Sequence, residues 1–183
     1  NAIADRCKVF TQKRYLHPTR SADAGNSIYV WHSKTGKEWS KPLRLAQGIS
    51  KDDICSITAL SGSVLVVWSD QKSDGVYCRE HLNNTPDDKW LPTQTIQKGE
   101  LTADDHINIT STPDGTIWVA TKNSLDSIGQ PQLVLRSRNA AGSWKNQPYA
   151  LRMTSDEPSR PVVVVAPDGA LLSGNTVYSK KNR

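Results

Sequence analysis

Helical periodicity is missing from this 183-residue sequence: no stretch repeats its apolar residues every 3.6 positions. No apolar run approaches the ~18 residues that a membrane-spanning helix needs, so no membrane span is expected. Phe and Met are scarce, with one of each. Charge of one sign is not dominant either. Lys and Arg number 23 against 18 Asp and Glu, a net charge of +5. Hydrophobic residues make up 36%, and that content with so mild a charge excludes a disordered chain. Cysteine is sparse. Cys7, Cys55 and Cys78 show no CxxC spacing and no paired histidines, which argues against a zinc site. An odd count leaves at least one thiol unpaired within the chain, and Cys55 and Cys78 sit in apolar runs suited to plain packing. The first ten residues carry Asp5, Arg6 and Lys8 and do not read as a signal peptide, a feature that a mature secreted chain also lacks. Metalloprotease, phosphate-loop, dinucleotide and Ser-hydrolase motifs are absent.

Self-similarity is what the sequence does have. Ser61-Gly-Ser-Val-Leu-Val-Val-Trp68 returns as Pro113-Asp-Gly-Thr-Ile-Trp-Val-Ala120, and again as Pro167-Asp-Gly-Ala-Leu-Leu-Ser-Gly174. Three independent markers share one period of 51 to 54 residues: the glycines Gly62, Gly115 and Gly169, the tryptophans Trp39, Trp90 and Trp144, and the acidic pairs Asp52-Asp53, Asp104-Asp105 and Asp156-Glu157. A repeat of this length marks an array of supersecondary units. Within each unit, runs rich in Val, Ile, Thr, Trp and Tyr alternate with Ser-Gly and Pro-Asp-Gly turns. Strands are predicted over 27–33, 38–46, 54–60, 64–69, 75–81, 90–97, 106–112, 116–122, 132–138, 144–152, 160–166 and 170–175, with a further one possible within 7–15. The four valines of 162–165 predict an inner strand buried on both faces. About four strands per unit predict an all-β chain, a β-propeller with four-stranded antiparallel blades.

The expected organisation is a partial blade at 1–50 with its last two strands clear, blades at 51–102 and 103–154, and a partial blade with a basic tail at 155–183. That is about three and a half blades. Propellers close with four to eight, so the chain is expected to be part of a larger propeller, completed by a further segment or by another chain.

The order of these pieces resembles the sialidase-like, Asp-box (neuraminidase-repeat) propellers. Degraded counterparts of the Ser-x-Asp-x-Gly-x-x-Trp hairpin are Ser33-Lys-Thr-Gly-Lys-Glu-Trp39, which lacks the Asp, and Ser137-Arg-Asn-Ala-Ala-Gly-Ser-Trp144, with Asn in its place; Asn83–Trp90 keeps little beyond the Trp. The likeness is closest to secreted bacterial propellers and propeller-type polysaccharide lyases, which carry an Asp-Asp-His stretch before an inner strand, here Asp104-Asp105-His106. It implies an extracellular protein that binds or processes a glycan, and, if an enzyme, a glycoside hydrolase or polysaccharide lyase. Ser159-Arg160-Pro161 is similar to part of the sialidase Arg-Ile-Pro motif, but the three carboxylate-binding arginines of sialidases cannot be assigned.

Each acidic pair precedes an inner strand, which places all three near one rim of the channel. There Asp104, Asp105 and His106 are the candidate catalytic residues, and Arg160, Asp52, Asp53, Asp156 and Glu157 the candidate substrate-binding ones. Two carboxylates can divide acid and base roles against a sugar. A carboxylate ring could instead hold a calcium ion; no other cofactor is expected. The competing reading is that these aspartates accept backbone N–H groups and hold the turn between blades. His106 is a possible base or a turn residue. Arg160 either clamps a substrate carboxylate or pairs with Asp156 or Glu157. The matched tryptophans read as blade-to-blade packing. Basic residues are scattered apart from a loose group (Lys8, Lys13, Arg14, Arg20) and Lys180-Lys181, so no nucleic-acid partner is expected. The alternative to a glycan-directed protein is a non-catalytic propeller presenting an interaction face.

Overall fold

The three glycines of the repeat close the same turn. Gly62, Gly115 and Gly169 all adopt φ near +90°, the left-handed region that side chains resist. In two of these turns the preceding aspartate makes the same bond: Asp114 Oδ1 accepts from the N–H of Thr116 and Asp168 Oδ1 from that of Ala170, each at 3.0 Å. The structure, a computed structural model, describes residues 7–12, 26–125, 130–151 and 156–179. Lys13, Arg14, Arg20 and the tail from Lys180 lie outside the described residues, as do the side chains of Cys7, Lys8 and Asp156.

Every described regular element is a strand, paired antiparallel with its sequence neighbour. The first sheet contains β1 (Cys7–Gln12), β2 (Asn26–His32) and β3 (Leu43–Ile49). The second contains β4 (Cys55–Leu60), β5 (Ser63–Asp70), β6 (Gly75–Leu82) and β7 (Gln94–Lys98). The third contains β8 (Ile107–Ser111), β9 (Ile117–Lys122), β10 (Leu133–Arg138) and β11 (Trp144–Leu151). The last contains β12 (Asp156–Val165) and β13 (Leu171–Ser179). Three, four, four and two strands make an arc of propeller blades.

Each junction between neighbouring sheets holds its own apolar cluster. Ile28, Val30, Leu45 and Ile49 of the first sheet meet Val66 and Trp68 of the second. Leu65, Val67, Val76, Cys78 and Ile96 of the second meet Ile107, Ile109, Ile117 and Val119 of the third. Ala120 and Leu135 of the third meet Val163 of the last. Alternation along β5 explains why it is buried along nearly its whole length: successive side chains point to opposite faces, and both faces are covered. The second junction is also tied by charge. Both terminal nitrogens of Arg138 reach Glu80 Oε2 at 2.9 Å, and Ser63 Oγ donates to Glu80 Oε1 at 2.6 Å.

Four expectations need correction. β3 begins at Leu43 and β7 at Gln94, later than the predicted 38 and 90. Pro42 and Pro92 stand just ahead of these starts and carry no N–H for a ladder, so Trp39 and Trp90 stay in the hairpins, Trp90 making one bridge to His81. The valine run is not buried on both faces. Val163 is 2% exposed, whereas Val162 and Val164 are each 48% exposed. Val163 points at the third sheet, and no described sheet lies against the other face. β12 also starts earlier than predicted, at Asp156, and its ladder with β13 is interrupted between Ser159 and Val162.

Candidate functional site

Antiparallel pairing fixes which residues gather beside the inner strands. Ile107 at the start of β8 pairs with Thr121 near the end of β9, so His106 and Lys122 emerge together. One repeat later, the opening half of β12 lies alongside. The result is a cleft of about 410 Å³ between the third and last sheets, lined by His106, Lys122, Glu157, Ser159, Arg160 and Thr176 among others.

Behind the cleft wall sits a tight charge cluster. His106 Nδ1 lies 2.7 Å from Asp104 Oδ1 and 2.5 Å from Asp105 Oδ1. Lys122 Nζ lies 2.9 Å from Asp104 Oδ2. Burial disfavours the charge on both carboxyls, but the outcomes differ. In Asp104, bonds from Asp105, Lys122 and His106 outweigh burial and hold the group below the usual carboxylate range. In Asp105, burial and the adjacent Asp104 carboxylate push the group up to about 6. The pair therefore keeps one shared proton into mildly acidic solution, as close carboxylates do. The other imidazole nitrogen of His106, Nε2, lies 3.5 Å from Ser159 Oγ. Nδ1 thus faces the carboxylates and Nε2 faces the cleft.

The β12 wall is distorted at the same place. Arg160 adopts φ +50° although Pro161 follows, and a residue before proline is normally extended. Such a conformation costs on the order of 1–3 kcal/mol. It sits inside the ladder interruption between Ser159 and Val162. The interruption leaves the Arg160 side chain exposed on the cleft lining.

The other acidic residues are placed differently. Asp53 is 1% exposed and accepts from the N–H groups of Ser50 and Gln71, both at 3.0 Å, and from the Ser69 hydroxyl and Gln71 amide. Those bonds hold the turn into β4, and burial still raises its proton affinity. Asp52 is exposed, with Lys51 3.9 Å away. Glu157 lines the cleft. Asp104, Asp105 and His106 bring ligand atoms within 4.8 Å of one another, but the set does not suit calcium, which takes six to eight oxygens. One of these ligands is an imidazole nitrogen, and the Lys122 ammonium already holds Asp104.

Lys122 and Ser159 also belong to this cluster; the sequence offered no role for Lys122 and named Ser159 only as the neighbour of Arg160. Their signal is the repeat itself. Ser159 lies 53 residues after His106, one period, and positions one period apart meet across a junction. Similar spacings, 52 and 55 residues, recur where Ser111 Oγ donates to the carbonyl of Ala59 and where the Val163 N–H donates to Asn108 Oδ1.

A second, more apolar cleft of about 300 Å³ lies between the first and second sheets, lined by Trp31, His32, Leu43, His81, Asp87 and Trp90 among others. It sits among the hairpins that follow β2 and β6, at the opposite strand ends from His106. There His32 Nε2 lies 2.8 Å from Asp87 Oδ2. Trp90 and Trp144 pack against the first and second junction clusters respectively.

No family model matches the chain, and no curated protein sequence matches it. Among solved structures, it is similar to the alpha-L-arabinanase of Penicillium chrysogenum complexed with arabinobiose, at 14% sequence identity and a TM-score of 0.52, covering 84% of this chain and 50% of that one. The likeness shows the fold: the chain is an all-β assembly of β-propeller blades. It spans half the length of the arabinanase chain.

Proposed function

We propose that the chain belongs to a carbohydrate-processing β-propeller of the sialidase-like kind, acting outside the cell, and that the glycan sits in the cleft between the third and last sheets. The observation that carries this reading is the pair Asp104 and Asp105, which lie together yet hold protons with unlike strength, behind an imidazole on the cleft wall. Carboxyls separated in this way are the pattern of an acid–base site. Arg160 and Lys122 on the lining favour a sugar that carries a carboxylate. The arabinanase was solved with a disaccharide bound, which supports the general class. On this reading Asp53 holds the turn into β4, and Glu157 borders the substrate.

Calorimetric titration with trigalacturonate and with arabinobiose tests the site. Trigalacturonate is expected to bind, with affinity falling at least tenfold in Arg160→Ala and His106→Ala and unchanged in Trp31→Ala. Binding that survives the first two substitutions, or that is lost in Trp31→Ala, contradicts the assignment and moves it to the apolar cleft.

One observation favours a second reading, a non-catalytic interaction platform. Val162, Val164 and Leu172 leave an apolar face on the last sheet, Leu172 being 56% exposed. Such a face suits a further propeller segment or another chain.

A further inference from the structure

The cleft contains an arrangement that no linear motif announces. Asp104 Oδ1 holds His106 Nδ1 at 2.7 Å, and His106 Nε2 faces Ser159 Oγ at 3.5 Å. A carboxylate fixes the imidazole tautomer and orientation, and the free nitrogen addresses a hydroxyl. The three residues come from two sheets. Asp104 and His106 precede β8, and Ser159 lies in β12 immediately before the left-handed Arg160. The hydroxyl opens onto a 410 Å³ cleft whose lining includes two cations, Lys122 and Arg160.

We infer that this cleft hydrolyses acyl esters, with Ser159 as nucleophile, His106 as general base and acid, and Asp104 as the orienting carboxylate. The inference deepens the glycan reading and rests on the same cleft: the substrate class is a sugar bearing an ester-linked acyl group. Ser159 Oγ attacks the acyl carbon as its proton passes to His106 Nε2. The bond from the acyl carbon to the sugar oxygen then breaks, and that oxygen takes the proton from His106. Water then gives a proton to His106 and attacks the acyl carbon, the bond from that carbon to Ser159 Oγ breaks, and Oγ takes the proton back from His106, releasing the carboxylic acid and restoring the serine hydroxyl. Arg160 and Lys122 provide positive charge on the cleft lining for the oxyanion that develops. A 3.5 Å nucleophile–base contact is long for catalysis, and such contacts run loose in a free site and tighten around substrate.

The test treats the whole chain with a fluorophosphonate probe, followed by peptide mass mapping, and separately measures hydrolysis of p-nitrophenyl acetate. The expected result is an adduct on the peptide containing Ser159 and saturable hydrolysis. Ser159→Ala should abolish the adduct and lower hydrolysis at least a hundredfold, and His106→Ala should do the same. A second variant guards against misfolding. In Ser159→Cys the introduced thiol should be alkylated by iodoacetamide at least tenfold faster than in Ser159→Cys/His106→Ala. No adduct at Ser159, hydrolysis that persists in Ser159→Ala, or equal alkylation in the two cysteine variants would overturn the inference. Trigalacturonate binding without acylation overturns the ester chemistry and leaves the glycan reading standing. Acylation without binding does the reverse.

Discussion

At Asp104 and Asp105, adjacent residues of one type are driven in opposite directions by their surroundings. Asp105 holds its proton more tightly in the folded chain than the ordinary 3.8, up to about 6. A carboxyl raised in this way adds stability below its unfolded value and loses it as pH rises from about 4 to about 6. Asp104 is lowered, so its contribution is present above the ordinary carboxylate range and is lost only as pH falls below about 4. His106 and Lys122 face the same pair, and the two carboxyls still act in separate windows. Thermal melts of the wild type and Asp105→Asn between pH 4.5 and 6.5 should converge or cross, with the wild type losing ground to the variant as pH rises. Parallel curves would contradict the shared proton. The sequence showed the acidic pair recurring three times, but not that its members do different work. Asp53 is spent on the turn into β4, while its counterpart Asp105 lies against an imidazole. That division depends on Lys122 and His106, whose equivalents in the previous unit are Ser69 and Ile54, and such three-dimensional neighbours are not written beside the aspartates.

At the scale of the strand, the difference between β5 and β12 is one of coverage. Both are valine-rich, and composition alone predicted burial on two faces for the run in β12. Only β5 has a described sheet on each side. Val163→Ala should therefore cost about 2 kcal/mol in urea unfolding, the range for removing a buried aliphatic side chain. Val162→Thr should stay within about 0.5 kcal/mol, as surface substitutions do. If Val162→Thr costs as much as Val163→Ala, the outer face of β12 is packed in solution, and the covering sheet belongs to a partner or to another part of the propeller. Strand existence and order were legible because the alternation and turn residues are local. The starts of β3 and β7 fall later than the tryptophan positions suggest because Pro42 and Pro92 break the ladder.

For the molecule as a whole, the repeat is also a rule of contact. A period of 51 to 54 residues places consecutive inner strands side by side, and the cleft chemistry follows: His106 from one unit meets Ser159 and Arg160 from the next. The blade architecture was readable because duplication leaves its markers at fixed spacing. The cleft was readable only in part, because its second wall depends on a left-handed kink at Arg160 that the sequence does not signal, the following proline favouring an extended residue there. The nuclear Overhauser spectrum of the labelled chain tests this central point most directly. Cross-peaks are expected between the His106 imidazole and Ser159 Hβ, and between Ser111 Hβ and Ala59, alongside the within-sheet contacts of Cys55 with Trp68. Within-sheet cross-peaks without the two one-period contacts would show that the units do not stack as blades, and the cleft would dissolve with them.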